Sequence, residues 1–116
     1  MQLEFSCETH KTHYNEILSR MKSQDCYHQS LAYLFALDNV CFEHIDQLFD
    51  FSDDIILVDG MHGGWHTSSS KRTVRLAFNL WNSFVDPDNA VYSTPTELFS
   101  GSFAEYYCYA IMLRFK

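Results

Sequence analysis

Apolar side chains recur along this chain at the three-and-four spacing of helices, most clearly between Ser68 and Phe84. There Val74, Ala77, Phe78, Trp81 and Phe84 make one face, while Arg72, Arg75, Asn79 and Asn82 lie opposite. Ser68, Ser69 and Ser70 precede this stripe and can cap a helix start by accepting from a free backbone N–H. Earlier, Tyr14, Ile17, Leu18 and Met21 predict a one-sided helix over residues 9–21. Residues 26–38 turn apolar on every side after Ser30, the mark of a central helix. A third helix over 40–49, capped by Asn39, would bury Cys41, Ile45, Leu48 and Phe49. From 51 to 67 the period fails. Ile55–Val58 offers a short strand without an evident partner, and Gly60, Gly63 and Gly64 mark a flexible connection. Asp86-Pro87-Asp88-Asn89 reads as a turn, and Thr94-Pro95 starts a short helix stopped by Gly101. Residues 102–115 make the last element: the apolar, aromatic run Tyr106–Leu113 would also suit a strand, but its length, the lack of a partner strand and the Ser102 cap favour a helix. The pattern predicts an all-α single domain over 1–116, with five or six helices and one Gly-containing loop at 51–67. Its core would come from the helices at 26–38, 68–84 and the C-terminus.

Composition sharpens this in two places. Ten Phe, seven Tyr and two Trp in 116 residues exceed what a core of this size needs, so some aromatics should sit at a surface or interface, which leaves room for a homodimer. Neither an apolar leader nor a run long enough to span a membrane is visible, so the expectation is a cytoplasmic, soluble protein with no membrane partner. Cys7, Cys26, Cys41 and Cys108 lack the spacing of a metal or redox motif and are expected as buried free thiols.

Charge is the most uneven property. Net charge is −7, which argues against direct DNA binding. No Lys or Arg occurs between Lys22 and Lys71, a span holding Asp25, Asp38, Glu43, Asp46, Asp50, Asp53, Asp54 and Asp59. On a helix over 40–49, Glu43, Asp46 and Asp50 would share a face that Asp53 and Asp54 extend. Such a row imitates spaced phosphates and would suit a protein partner with a basic surface. Trp65, beside two glycines, is either an apolar anchor for that partner or a plug in the core.

Other chemistry is thinner. Ser70, Lys71, Arg72 and Arg75 gather hydroxyl and cationic groups at a helix N-terminus, where an anion would be welcome and where the chain's own acids could serve instead. His62 and His66 are four apart, and Cys7, His10 and His13 three apart, spacings that suit zinc on a helix, but the glutamate of a hydrolase motif is missing. No catalytic residue and no cofactor is assigned.

The run Ser68-Ser69-Ser70 through Leu76-Ala77-Phe78-Asn79-Leu80-Trp81-Asn82 resembles the central motif of a family of short, uncharacterised bacterial proteins found in mobile genetic elements. Looser likeness extends over residues 10–116, including Asp50-Phe51 and Ile111–Phe115. The resemblance implies no activity and no catalytic residue. It implies a context in which small acidic proteins inhibit host defence, anti-CRISPR proteins among them. The function expected is therefore a non-enzymatic acidic inhibitor that fills the nucleic-acid groove of an RNA-guided CRISPR nuclease. The alternatives are a small metal-dependent hydrolase at His62 and His66, or an anion-binding sensor.

Overall fold

The computed structural model describes residues 2–116. Its frame is set by a helix that no solvent reaches along most of its length. This helix, α2 (Cys26–Leu37), starts where the Asp25 carboxylate accepts from the His28 amide, and every residue from Ser30 to Leu37 is buried. Around it pack α1 (Glu8–Arg20), α4 (Ser68–Asn82) and α6 (Ala104–Phe115). Short helices α3 (Asn39–Glu43) and α5 (Pro95–Leu98) connect them. The domain is mostly helical, as the periodicity predicts, with six α-helices among the described residues.

Each helix turns inward the side chains that its spacing selects. α1 buries Tyr14 and Ile17, and Met21 follows just past its end; α6 buries Tyr107, Ala110 and Leu113. Phe35 of α2 meets Phe78 of α4 edge to face at 6.3 Å. Each such aromatic or aliphatic burial removes roughly 1.5–3 kcal/mol of unfavourable hydration. The buried face of α4 is wider than its apolar stripe, because Thr73, Arg75, Leu76 and Leu80 are buried with Val74, Ala77 and Phe78. Its cap is one residue earlier than the serine run suggests. Thr67 Oγ1 accepts from the Ser70 amide, and the Thr67 amide donates to Ser70 Oγ, a reciprocal capping box.

Three expectations need correction. The helix expected over 40–49 stops at Glu43. His44 leaves the helical region at φ −113° and ψ 25°, and its ring bonds back to the Val40 carbonyl at 2.9 Å. A 3₁₀ turn at Ile45–Gln47 follows, then strand β1 (Phe49–Asp50). This strand is the partner that Ile55 lacked in the sequence: β2 (Ile55–Ile56) pairs antiparallel with it, Phe49 opposite Ile56 and Asp50 opposite Ile55. The hairpin closes because Asp50 Oδ1 accepts from the Ser52 and Asp53 amides and Asp54 takes a left-handed φ of 59°. Lastly, only Cys41 is a buried thiol. Cys26 is half-buried, and Cys7 and Cys108 are exposed. Among the described residues no helix is long and apolar enough to cross a membrane.

Candidate functional site

Helix α4 carries Lys71 and Arg75 one turn apart, hence on one side of the helix. Opposite them run the 3₁₀ segment Val58–His62 and the turn at Asn89, which leads into the 3₁₀ segment Ala90–Ser93. Between these elements lies a polar cavity of about 260 Å³ lined by Met61, His62, Gly63, Lys71, Arg75, Asn89 and Tyr92. Arg75 is only 3% exposed. Its Nη2–H donates to Asp86 at 2.9 Å, its Nη1–H donates to the Lys71 carbonyl at 3.1 Å, and its buried Nε–H has no acceptor among the described residues. The guanidinium carbon stands 5.2 Å from the centre of the Tyr92 ring. Burial alone would push Asp86 up. The Asp88 amide, the Arg75 guanidinium and the Asn89 side chain bond to it and together hold it below the usual carboxylate range.

The four residues expected to bind an anion separate here into two pairs. Arg72 turns away to Glu97 at 3.1 Å, and Ser70 Oγ is absorbed by the cap of α4 and by His66. Lys71 and Arg75 stay in the cavity, and among the described residues Lys71 has no ion pair. Two of the three cations are thus met by the chain's own acids, and the third is not. His62, Asn89 and Tyr92 complete the lining, and the sequence offered no reason to join Asn89 or Tyr92 to Lys71. The positive field is also felt by His66. Burial lowers its pKa first, its bond to the Gly60 carbonyl opposes this, and Arg75 and Lys71 lower it further.

The acidic residues fare differently. Glu43 ends α3, Asp46 lies in the 3₁₀ turn, and Asp50, Asp53 and Asp54 belong to the hairpin, so they do not line one helix. Asp46 pairs with Arg20 at 2.9 Å on the surface, and Asp54 meets His28 Nε2 at 2.8 Å. Asp50 holds its own turn. Glu43, Asp50 and Asp53 have no cationic partner among the described residues. Trp65 is half-buried and stacked between the rings of His44, at 4.2 Å, and His66, at 3.8 Å, while its Nε1–H donates to Gln47. Its faces are already covered by the chain itself.

The histidines do not converge. His66 uses both ring nitrogens, bonding the Gly60 carbonyl through Nε2 and Ser70 Oγ through Nδ1, each at 2.8 Å. His10 is buried, accepts from the Ser6 amide and donates to the Tyr33 carbonyl, and His13 stacks flat on Phe42 at 3.5 Å. Among the described residues no group of three or more His, Cys, Asp or Glu side chains is placed to hold a metal ion.

Fold and cavity together define a small helical domain with a polar pocket. The chain belongs to a family of unknown function (DUF6075), whose family model matches residues 1–116. Searches of the curated proteins and of the solved structures returned no match.

Proposed function

We propose that this protein is a non-catalytic binding module for a small anion, a phosphate or a carboxylate, held in the cavity between α4, the Val58–His62 segment and the turn at Asn89. The observation that carries this reading is a polar cavity lined by the buried Arg75 and, one helical turn away, by Lys71, which has no ion pair among the described residues. Burying a guanidinium is costly, and Asp86 supplies only one counter-charge for the two cations. Lys71 in the first turn of α4 also opposes the helix dipole, so an anion there relieves two unfavourable terms at once. At about 260 Å³ the cavity admits an inorganic ion or a small acid.

The test is a thermal-shift and calorimetric titration with inorganic phosphate and with succinate, each against chloride of matched ionic strength. Saturable binding that is lost in Lys71→Gln supports the reading. A response no larger than that to chloride ends it.

A second reading keeps an observation of its own: Glu43, Asp50, Asp53 and Asp59, all within the cation-free span from Lys22 to Lys71, have no cationic partner among the described residues. On this reading the protein is an acidic inhibitor docking on a basic nucleic-acid groove, and the resemblance to short proteins of mobile genetic elements supplies the context. Reversing Glu43, Asp53 and Asp59 to Lys should then abolish inhibition of an RNA-guided nuclease and flatten its salt dependence; unchanged inhibition, or none from the wild type, discards it.

A further inference from the structure

We propose that this protein forms a two-fold dimer through the outward face of α6, with the two helices antiparallel. Tyr107, Ala110 and Leu113 turn that helix toward the core, so Glu105, Cys108, Tyr109, Met112 and Lys116 fall on the other side. A solvent-facing helix side is normally charged, yet the middle of this one is Cys, Tyr and Met. Met112 is 49% exposed and the adjacent Phe115 68%. Two apolar depressions, of about 470 and 340 Å³, run along it, and Met112 is the ridge between them because it lines both. A ridge flanked by grooves is a self-complementary surface: the ridge of one copy enters a groove of the other.

Charge selects the occupant and its direction. The protein as a whole, at −7, repels its own copies, but this stripe carries one Glu and one Lys, with Glu4 of the flanking N-terminal segment the further acid near Tyr109, so little of that charge lies on it. Glu105 stands at its start and Lys116 at its end, and neither has an ion pair among the described residues. A two-fold axis passing between Ala110 and Ile111 sets Glu105 against Lys116 of the second copy, twice, and Tyr109 against its Met112. A parallel arrangement sets Glu105 on Glu105 and Lys116 on Lys116, which like-charge repulsion disfavours. Antiparallel α6 helices also oppose their dipoles favourably.

Sedimentation velocity and light scattering, taken from roughly 1 to 300 µM, cover the range in which a modest interface populates both states. The expected mass climbs from the 13.6 kDa of one chain toward twice that value. Met112→Glu should stay monomeric throughout. Glu105→Lys and Lys116→Glu should each weaken association about tenfold, because two symmetric pairs turn repulsive, and combining them should restore it to within about threefold of the wild type. All these positions are at the surface, and circular dichroism with urea unfolding checks that each variant folds. A wild type that is monomeric at every concentration overturns the proposal. So does a dimer indifferent to Met112→Glu, or a charge swap that stays as weak as its parents.

Discussion

Replacing Asp86 by Asn tests the physical basis of the cavity directly. The carboxylate is 2% exposed and pairs with a guanidinium that is 3% exposed. Asn retains one oxygen to accept from the Asp88 amide but sets an NH2 where Oδ2 accepted from Arg75 and Asn89, so the change removes the charge and those two bonds. What remains is a buried cation without a counter-charge, which costs about 3–5 kcal/mol. A chain of this length has roughly 6–17 kcal/mol of total stability, so the loss is large without being fatal. In thermal unfolding it corresponds to a Tm lower by about 10–20 °C. The acid limb changes as well. Asp86 is held below its unfolded value, so its contribution is present above the unfolded pKa and disappears as pH falls through the folded one. Asp86→Asn should therefore flatten stability against pH in that acid range. Adding Arg75→Met to Asp86→Asn removes the orphaned charge and should recover most of the loss. Urea unfolding is the assay. A loss below about 1 kcal/mol at an unchanged m-value would mean that Arg75 is not a buried cation dependent on Asp86, and the charge balance assigned to the cavity would fall.

Three further outcomes follow from single sites. Burial alone would lower the pKa of His28, but its bonds to Asp25 at 2.7 Å and Asp54 at 2.8 Å raise it; burial lowers His10 and His66. His28 thus adds stability below its unfolded pKa that is lost as pH rises through the folded value, whereas His10 and His66 add stability above theirs that is lost on acidification, so unfolding free energy should peak near pH ~6.5. His28→Gln should remove the decline just above pH ~6.5, leaving only the fall at higher pH from the raised Cys41 thiol and Tyr107 phenol; a near-neutral decline that persists refutes the assignment. Tyr107 and Thr73 hydroxyls are 2.7 Å apart in the core, and Thr73 already donates to the Ser69 carbonyl, so Tyr107 is the donor between them. Burial helps to push the Tyr107 phenol up to about 12, so Tyr107→Phe should cost about 1 kcal/mol in urea unfolding and erase a high-pH transition in tyrosine absorbance. A Cβ at Gly60 would overlap the Gln47 carbonyl oxygen, so Gly60→Ala should cost about 1–3 kcal/mol and loosen the segment that forms one wall of the cavity, visible as faster amide exchange over 58–66.

Much of the helical frame was legible because α1 and α4 carry a long periodic stripe and α2 a run that is apolar on every side, while α6 was read from its length and the preceding Ser102. The expectation failed where one residue's polar side chain decided the local path. Nothing in the run Val40–Phe49 breaks the helical period, yet His44 bonds to the Val40 carbonyl and the helix ends there. The turn chemistry of Asp50 and Asp54 was present in the sequence, but two-residue strands are too short to show a period of two. For the site, the i, i+4 relation of Lys71 and Arg75 was readable, and so was the expectation that the chain's own acids would answer the cations. Which acid answers which cation was not. Asp86 is 11 residues from Arg75 and Glu97 is 25 from Arg72, and loop closure rather than pattern brings them together.

The burial of Arg75 also changes what α4 means. Read as a stripe, this helix has an apolar face and a wet basic face; in the structure its basic residue at 75 is as buried as Leu76 and Leu80. A guanidinium there stabilises little, since a hydrophobic side chain of similar length packed against the same neighbours would avoid the desolvation cost. Its donors are therefore better understood by what they hold than by what they add to folding. Nη2–H fixes the turn at Asp86 and Nη1–H closes back on the Lys71 carbonyl, while the residue lines the cavity beside Lys71. These two bonds immobilise the guanidinium, so an arriving anion would find it already oriented and would lose little entropy in ordering it. A surface arginine free to sample its rotamers would offer the same charge without that advantage. Preorganisation, more than the number of positive charges, is the reason to look for the ligand here and not among the exposed cations.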